Sequence, residues 1–323
     1  MNDLGNSIQA FAEMTPWRGE VPEGYFPNFR GVMTEDAFVA SHPPSNQSLP
    51  VDDGGRQARA PGITEGELFF EQLAIQKAVR SARDRFTMIE LGGGYAARCV
   101  DAFTALGREN PMPSLFVLVE AEPTHFQWAR RHMAANGMDP DAQWLINALV
   151  GVDEGPRLFM VGEGFYGNAA VSPEEIDQVV RNMASPEETA TVLRNLLRGG
   201  RCGLDISYHT DIGIQFFDYG FVNTVALPDI LTPLDRVDLI DIDIQGAEAE
   251  VIPAAMAELD RKVGRVQLAS HGGAIHRGMW DLFFEHEWDC EVDFTPSSRH
   301  QTEWGSFDTE DGILHFVNPR LEG

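Results

Sequence analysis

The sequence has little positive charge and almost no lysine. Of its 323 residues 24 are Lys or Arg, against 50 Asp or Glu, and the formal net charge is −26. The only lysines are Lys77 and Lys262. Proteins that bind nucleic acid or an anionic membrane surface need a basic footprint, and no segment of this chain supplies one. We therefore expect neither nucleic acid nor a membrane as a partner.

Cysteine is also scarce, and long apolar runs are missing. Cys99, Cys202 and Cys290 are far apart and form no C-x-x-C pair, which argues against a zinc or redox motif. No run reaches the roughly 18 apolar residues of a membrane-spanning helix. The N-terminus lacks the basic and apolar regions of a signal peptide. These features predict a cytoplasmic protein.

The chain divides into an irregular N-terminal arm, residues 1–63, and an α/β body, residues 64–323. The arm is rich in Pro, Gly, Asn and Asp but carries several aromatic residues, so we expect it to pack on the body. An arm of this kind can also be exchanged between the subunits of a homo-oligomer. In the body, strands and helices alternate, which predicts a doubly wound, mostly parallel seven-stranded sheet with helices on both faces. The last strands, Trp288–Phe294 and Gly312–Val317, predict an antiparallel hairpin at the sheet edge.

Three local patterns refine this scheme. Thr64 and Glu67 have the T-x-x-E spacing of a capping box, which predicts a helix that begins near Thr64. Residues 143–150 form an apolar run that predicts the third strand. Residues 162–230 interrupt the alternation with a polar helical stretch, and we interpret them as a helical insertion that is too polar to bury a core of its own.

A glycine-rich turn follows the first strand of the body. Residues 88–97 read M-I-E-L-G-G-G-Y-A-A, so the strand ends at Glu90 and leads through Gly92, Gly93 and Gly94 into a helix. Glycine lets the backbone turn sharply and approach a ligand, and a helix N-terminus offers free N–H groups. The pattern fits the dinucleotide fingerprint G-x-G-x-x-A, although a single match is weak and a tight turn without a ligand is the alternative.

An acid ends the second strand as well. Glu120 stands where a carboxylate can accept both hydroxyls of a ribose. Glu122 is close by but fits the start of the next helix better. With the glycine turn, Glu120 predicts a nucleoside site where the strand order of the sheet reverses.

A pair of acids marks a later strand. Residues 238–248 read D-L-I-D-I-D-I-Q-G-A-E, and alternation places Asp241 and Asp243 on one side of the strand. Two carboxylates at the end of a buried strand are costly unless they bind something. A metal site or a site for a substrate hydroxyl explains them, whereas a dehydrogenase has no need of them there.

At this point the chain resembles the FkbM-type S-adenosylmethionine-dependent methyltransferases. Their signature strand reads D-L-I-K-I-D-V-E-G-A-E, and the matching segment here has Asp241 at the lysine and Gln245 at the first glutamate. The glycine turn, the E-A-E-P after strand two, Asn147-Ala148-Leu149 and Ser270-His271-Gly272 fall in the order of the family. The resemblance spans about residues 67–318. It implies a class I methyltransferase fold, Rossmann-like, with S-adenosylmethionine as cofactor.

The resemblance also implies O-methylation of a hydroxyl on a sugar or natural product. On this basis the residues expected to bind the cofactor are Glu90, Gly92, Gly93, Gly94, Glu120, Asn147, Ala148 and Asp241. His271 is the candidate general base because histidine titrates near neutrality. Asp243 is the alternative base, and with Asp241 it is also a candidate ligand for Mg²⁺, which prefers oxygen ligands. Tyr166 and His209, in the insertion, are candidates for contact with the substrate.

Two other functions remain open from the sequence. The glycine turn also suits an NAD(P)-dependent oxidoreductase, although neither lysine forms the Tyr-x-x-x-Lys pair of short-chain reductases. A binding module that has lost its chemistry is the third possibility, supported only by Asp241 and Gln245. For a methyltransferase, an acidic crevice favours the positive sulfonium of the cofactor. The same charge predicts a neutral or cationic small-molecule acceptor rather than a polyanion.

Overall fold

The architecture comes from a computed structural model of the chain. It describes residues 17–40, 61–162, 185–198, 202–210 and 213–321, together with residues 9, 11 and 170. In this part of the chain, no helix is long and apolar enough to cross a membrane.

The described strands and helices are numbered here in chain order. The strands are β1 (Tyr25–Pro27), β2 (Met33–Glu35), β3 (Phe86–Leu91), β4 (Ser114–Val119), β5 (Trp144–Ile146), β6 (Leu149–Gly151), β7 (Gly155–Val161), β8 (Cys202–Thr210), β9 (Gly213–Ala226), β10 (Leu239–Ile242), β11 (Arg265–Ser270), β12 (Asp289–Phe294), β13 (Ser298–Thr302), β14 (Gly305–Thr309) and β15 (Gly312–Val317). The α-helices are α1 (Asp36–Ala40), α2 (Glu67–Ser81), α3 (Ala97–Glu109), α4 (Pro123–Ala135), α5 (Pro186–Leu197), α6 (Leu227–Leu231), α7 (Glu248–Lys262) and α8 (Gly273–Glu285).

A seven-stranded sheet in the order β12-β15-β11-β10-β3-β4-β5 forms the centre of the body. Neighbouring strands from β11 through β10, β3 and β4 to β5 are parallel, whereas β15 is antiparallel to both β11 and β12. The predicted doubly wound, mostly parallel sheet and its antiparallel edge pair are confirmed. Because the chain moves outward from β3 through β4 to β5, and from β10 to β11 on the other side, the strand order reverses between β3 and β10. Ligands of such sheets bind in the crevice at this point.

Side-chain alternation along the strands gives the sheet two apolar faces. On β3, Ile89 and Leu91 belong to the core beneath α6, α7 and α8, and Met88 belongs to the core beneath α2, α3 and α4. The same alternation on β10 places Leu239 in the second core and Ile240 in the first. It follows that Glu90 and Asp241, which alternate with buried apolar neighbours, face α2 and α3.

Residues 202–226 correct the predicted helical insertion. The chain is helical at α5, but β8 and β9 are long strands that pair with each other and, through β9, with β6 and β7. The segment of β9 is rich in aromatic and β-branched residues, which favour a pleated, half-buried surface over a helix. The polar residues before β8 favoured a helical interpretation, and the change from a helical to a strand pattern was therefore missed.

Two further boundaries differ from the prediction. The expected third strand over 143–150 is divided, with β5 in the central sheet and β6 in the smaller sheet. The capping box of Thr64 and Glu67 is also wrong, because α2 begins at Glu67, after a 3₁₀ turn over Ile63–Glu65. The Glu67 carboxylate instead accepts the backbone N–H groups of Glu310, at 3.0 Å, and Asp311, at 3.1 Å. Glu67 thereby ties α2 to the loop before β15.

The described part of the N-terminal arm packs on α2, α3 and α4. The Arg30 side chain is 1% exposed, and its guanidinium donates to Gln72 on α2, at 3.3 Å, and to Glu109 on α3, at 3.2 Å. Farther along, the Phe38 ring stacks on Trp128 of α4 with the ring centres 5.2 Å apart. The arm therefore braces the helices from outside.

Candidate functional site

A cavity of about 330 Å³ opens at the carboxyl ends of β3, β4 and β10, where the strand order reverses. Six of the predicted site residues line it: Gly92, Gly93, Gly94, Glu120, Ala148 and Asp243. The remaining predicted residues that are described, Glu90, Asn147, Asp241 and His271, stand behind this lining. Tyr166 lies outside the described residues, and His209 belongs to β8 but its side chain is not described.

The glycine turn runs unusually close to the strands beside it. Gly92 has φ +76°, and a Cβ atom built there would lie 1.8 Å from the carbonyl oxygen of Asp243. A Cβ atom on Gly93 would lie 2.1 Å from Cδ1 of Leu118. Only glycine fits at position 92, and a side chain at position 93 would have to displace Leu118, so the turn brings its bare backbone to the wall of the cavity.

Glu90 holds the start of α3. Its carboxylate accepts the backbone N–H groups of Arg98, at 3.2 Å, and Cys99, at 2.8 Å, which have no partner within the helix. Burial raises the pKa of Glu90, although the charge of Arg98 and these hydrogen bonds oppose the shift. Glu90 therefore fixes the turn from beneath.

Glu120 reaches the cavity from the end of β4. Its two carboxylate oxygens accept the N–H groups of Gly94, at 2.7 Å, and Glu122, at 2.6 Å. Burial, reinforced by the charges of Glu122 and Glu90, raises the pKa of Glu120 to about 8. A carboxylate has about four lone-pair sites, so both oxygens retain capacity for a ligand donor.

Two neighbours of Glu120 support this strand end. The amide of Asn147 donates to the carbonyl oxygens of Glu120, at 2.8 Å, and Ala121, at 3.2 Å. Glu122 is the N-cap of α4 and accepts the N–H of His125 at 2.8 Å, which confirms its assignment to the start of that helix. Asn147 thus holds the backbone, while the adjacent Ala148 lines the cavity.

A row of polar side chains crosses the sheet beneath α2 and α3. The strand register sets Glu90, Asp241, Gln267 and His315 side by side on β3, β10, β11 and β15. All four are buried. Burial raises the pKa of Asp241 well above its usual range, and burial lowers that of His315 to about 3.

Arg98 supplies the cation that this face needs, and the sequence reasoning missed it. Its guanidinium pairs with Glu71 of α2. Burial opposes the charge of Arg98, but the carboxylates of Glu71, Asp241 and Glu90 outweigh burial and raise its pKa well above the usual value. Arginine in the first turn of a helix is unfavourable for the helix dipole, and this misplaced cation was the available signal.

His271 is the centre of a cluster of carboxylates. Its Nδ1 atom lies 2.8 Å from Oε1 of Glu248, and its Nε2 atom lies 3.4 Å from Asp243 and 3.7 Å from Asp311. Burial by itself lowers the pKa of His271, but Asp243 and Glu248 more than compensate and raise it to about 10. The imidazole is therefore protonated near neutrality and has no lone pair to take a proton.

The pKa of Asp243 is lowered, whereas that of its neighbour His271 is raised. Burial disfavours its charge, but the hydrogen bond and the charge of His271 prevail and lower the pKa of Asp243. The amide of Gln245 also donates to Asp243 at 2.9 Å. Asp243 is thus an ionised carboxylate on the wall of the cavity.

Further acids line the cavity on the side of α2 and the loop before β15. These residues, which the sequence reasoning did not select, are Glu67, Glu71, Glu310 and Asp311. Burial, followed by the charges of Glu71 and Asp311, raises the pKa of Glu67 to about 7. Among the described residues, no group of three or more His, Cys, Asp or Glu side chains has the arrangement of a metal site.

Comparisons with known proteins give distant similarities. No protein-family model matches the chain. A protein of Jannaschia sp. (strain CCS1) named "Putative methyltransferase" is 20% identical over 251 residues, which cover 78% of this chain and 79% of that protein. Among solved structures, precorrin-6y C5,15-methyltransferase from Geobacter metallireducens GS-15 is 15% identical, with 83% of this chain and 97% of that chain covered and a TM-score of 0.37. Methyltransferase FkbM from Methylobacillus flagellatus KT is 11% identical, with 87% and 58% covered and a TM-score of 0.39.

Proposed function

We propose that this protein is an S-adenosylmethionine-dependent methyltransferase that acts on a hydroxyl of a small molecule. The observation that carries the proposal is the convergence of Gly92–Gly94, Glu120 and Asp243 on one cavity where the strand order reverses. The resemblance of residues 238–248 to the FkbM signature and the distant relative named as a methyltransferase point the same way.

The residues present fit a nucleoside cofactor. The backbone of the glycine turn is bare on the cavity wall, and Glu120 ends the neighbouring strand with lone pairs left for two ribose hydroxyls. Ala148 offers a small apolar surface to the adenine. The negative charge of the lining also favours a cofactor with a positive sulfonium over its neutral product.

The reaction divides its work between the cofactor and the chain. When bound, S-adenosylmethionine supplies a methyl group on a positively charged sulfur. Asp243 accepts a hydrogen bond from the acceptor hydroxyl and takes its proton, and holding that oxygen in line contributes much of the rate. His271, as an imidazolium, acts as a positioning residue that holds Asp243 ionised and oriented. This proposal prefers Asp243, the alternative base of the sequence analysis, to His271, its first candidate.

Magnesium binding by Asp241 and Asp243 stays a prediction. Asp241 faces the charge of Arg98, which competes with a second cation for the same carboxylate. If the enzyme keeps its activity after dialysis against EDTA, the magnesium proposal is wrong.

The glycine turn and Glu120 also suit an NAD(P)-dependent oxidoreductase, and calorimetric titration separates the two functions. We expect the product S-adenosylhomocysteine to bind and NAD to give no measurable heat of binding. If NAD binds and S-adenosylhomocysteine does not, the methyltransferase proposal is wrong and the oxidoreductase replaces it.

A further inference from the structure

The cavity has a second half that the cofactor residues do not occupy. It lies beneath α2 and beside the loop before β15, and its wall carries Glu67, Glu71, Gln267, Glu310 and Asp311. The glycine turn, Glu120 and Ala148 come instead from β3, β4 and the segment before β6. The two halves meet at Asp243, the proposed proton acceptor.

Gln267 is the residue of this half that indicates a bound ligand. It lies on β11, its side chain is 4% exposed, and it lines the cavity. Its Oε1 atom has no hydrogen-bond partner among the residues that the structure describes. A buried acceptor without a donor is costly and rare in proteins, so an N–H or O–H group from a ligand is the expected partner.

The charges of this half are unbalanced toward the negative, which also favours a ligand that donates hydrogen bonds. Five carboxylates line it: Glu67, Glu71, Asp243, Glu310 and Asp311. The cationic side chains that face them in the described part of the chain are Arg98, paired with Glu71, and His271, close to Asp243 and Asp311. Two cations face five carboxylates, and burial together with this crowding raises the pKa of Glu67 to about 7. A positive ligand would favour the ionised form of these acids.

From the unpaired Gln267 and the surplus of acids we infer that the acceptor is a cationic amino alcohol whose ammonium group binds in this half of the cavity. An ammonium group has three donors and no acceptor, which matches a wall of carboxylates and one free amide oxygen. Ala269 and Ile313 line the same half and offer apolar contacts to the carbon chain. The inference rests on the proposed function and names its substrate class.

Three small probes of equal chain length test the inference. They are 5-amino-1-pentanol, 1,5-pentanediol and 5-hydroxypentanoate, which each carry a hydroxyl but differ in charge. Each is titrated calorimetrically into protein saturated with S-adenosylhomocysteine, so that the cofactor half is filled. We expect the amino alcohol to bind roughly tenfold or more tightly than the diol, as for one charge-assisted hydrogen bond, and the carboxylate to bind least.

Two substitutions locate the ammonium group. Glu67→Gln removes a charge but keeps an oxygen that can accept the N–H groups of Glu310 and Asp311, and Gln267→Leu removes the free amide oxygen. Both are expected to weaken binding of the amino alcohol and to leave S-adenosylhomocysteine affinity unchanged. Glu285→Gln is the control, because it makes the same charge change at an exposed position of α8.

The outcomes separate this inference from the proposed function. Equal binding of the three probes, binding of none, or an amino-alcohol affinity unaffected by both substitutions would overturn the inference alone, provided that S-adenosylhomocysteine binds. If S-adenosylhomocysteine itself fails to bind, the proposed function falls and the acceptor site falls with it.

Discussion

The Nδ1 atom of His271 lies 2.8 Å from Oε1 of Glu248, and this contact joins the end of β11 to the start of α7. The Glu248 side chain is fully buried, and its Oε1 atom also accepts the N–H of Ile244 at 3.2 Å. On the other side of the ring, Nε2 faces Asp243 at 3.4 Å. One imidazolium therefore holds together three parts of the chain that border the cavity.

Replacing His271 with Asn should lower the free energy of unfolding near neutral pH more than at high pH. A histidine whose pKa is raised to about 10 stabilises the fold fully below its unfolded value near 6.5, and the contribution is lost as the pH rises toward 10. We expect His271→Asn to cost about 1.5–3 kcal/mol at pH 6.5, the range for a hydrogen bond to a charged group, and much less at pH 10. Urea unfolding of both proteins at several pH values measures the difference.

His286→Asn is the matched control for this prediction. His286 also pairs with a carboxylate, that of Asp260, but this pair is more exposed to solvent than the pair of His271 and Glu248 and should contribute less. A cost for His271→Asn that stays constant from pH 6.5 to 10 would show that its charge does not support the cluster.

Removing Arg98 should expose the acids that it balances. Arg98→Met leaves Glu71, Glu90 and Asp241 without their common cation. Breaking a fully buried ion pair on one side costs about 3–5 kcal/mol, and the half-buried pair of Arg98 and Glu71 should cost less than this. Adding Asp241→Asn removes one of these carboxylates, so the double variant should recover part of the loss. Chemical denaturation of the single and double variants gives the coupling free energy. Simple additivity of the two substitutions would mean that the charge of Arg98 does not act on Asp241.

Much of this fold could be predicted because its signals are local. The alternation of apolar strands and helices, the glycine turn after Glu90 and the cap at Glu122 each depend on a few adjacent residues. Glu120 and Asp243 were predicted as site residues from the same kind of signal, since both stand at the end of a buried strand. The ends of parallel strands meet at one edge of a sheet, and the two residues therefore share a cavity.

The rest of the site depends on contacts between distant segments. Arg98 matters because Glu71, from another helix, and Asp241, from a later strand, face it. The pKa of His271 likewise depends on contacts with Asp243 and Glu248, which raise it to about 10, whereas the sequence offers only the ordinary pKa of histidine. Gln267 carries no motif, and only the sheet register places it beside Asp241.

Glu120 should give cofactor binding a characteristic pH dependence. Two ribose hydroxyls need the ionised carboxylate, and the pKa of Glu120 is raised to about 8. The affinity for S-adenosylhomocysteine should therefore rise about tenfold between pH 7 and pH 9, as the ionised fraction rises. Glu120→Gln, which keeps the volume but loses the charge, should weaken binding by about 1–3 kcal/mol and remove this dependence. Calorimetric titrations across pH check both, and a variant with wild-type affinity would move the ribose contact elsewhere.

The glycine turn itself can be tested with two alanine substitutions in neighbouring segments. Gly92→Ala forces a side chain into φ +76° and against the Asp243 carbonyl, and strain of this kind costs about 1–3 kcal/mol before the collision is relieved. Gly107→Ala, at an exposed position of α3 with no atom within 4 Å of the new Cβ, should stabilise the helix by about 0.5–1 kcal/mol. Thermal unfolding should therefore show that Gly92→Ala lowers stability and Gly107→Ala raises it. Titration with S-adenosylhomocysteine should show a loss of affinity for Gly92→Ala alone. An affinity that survives Gly92→Ala would mean that the turn does not form the wall against which the cofactor binds.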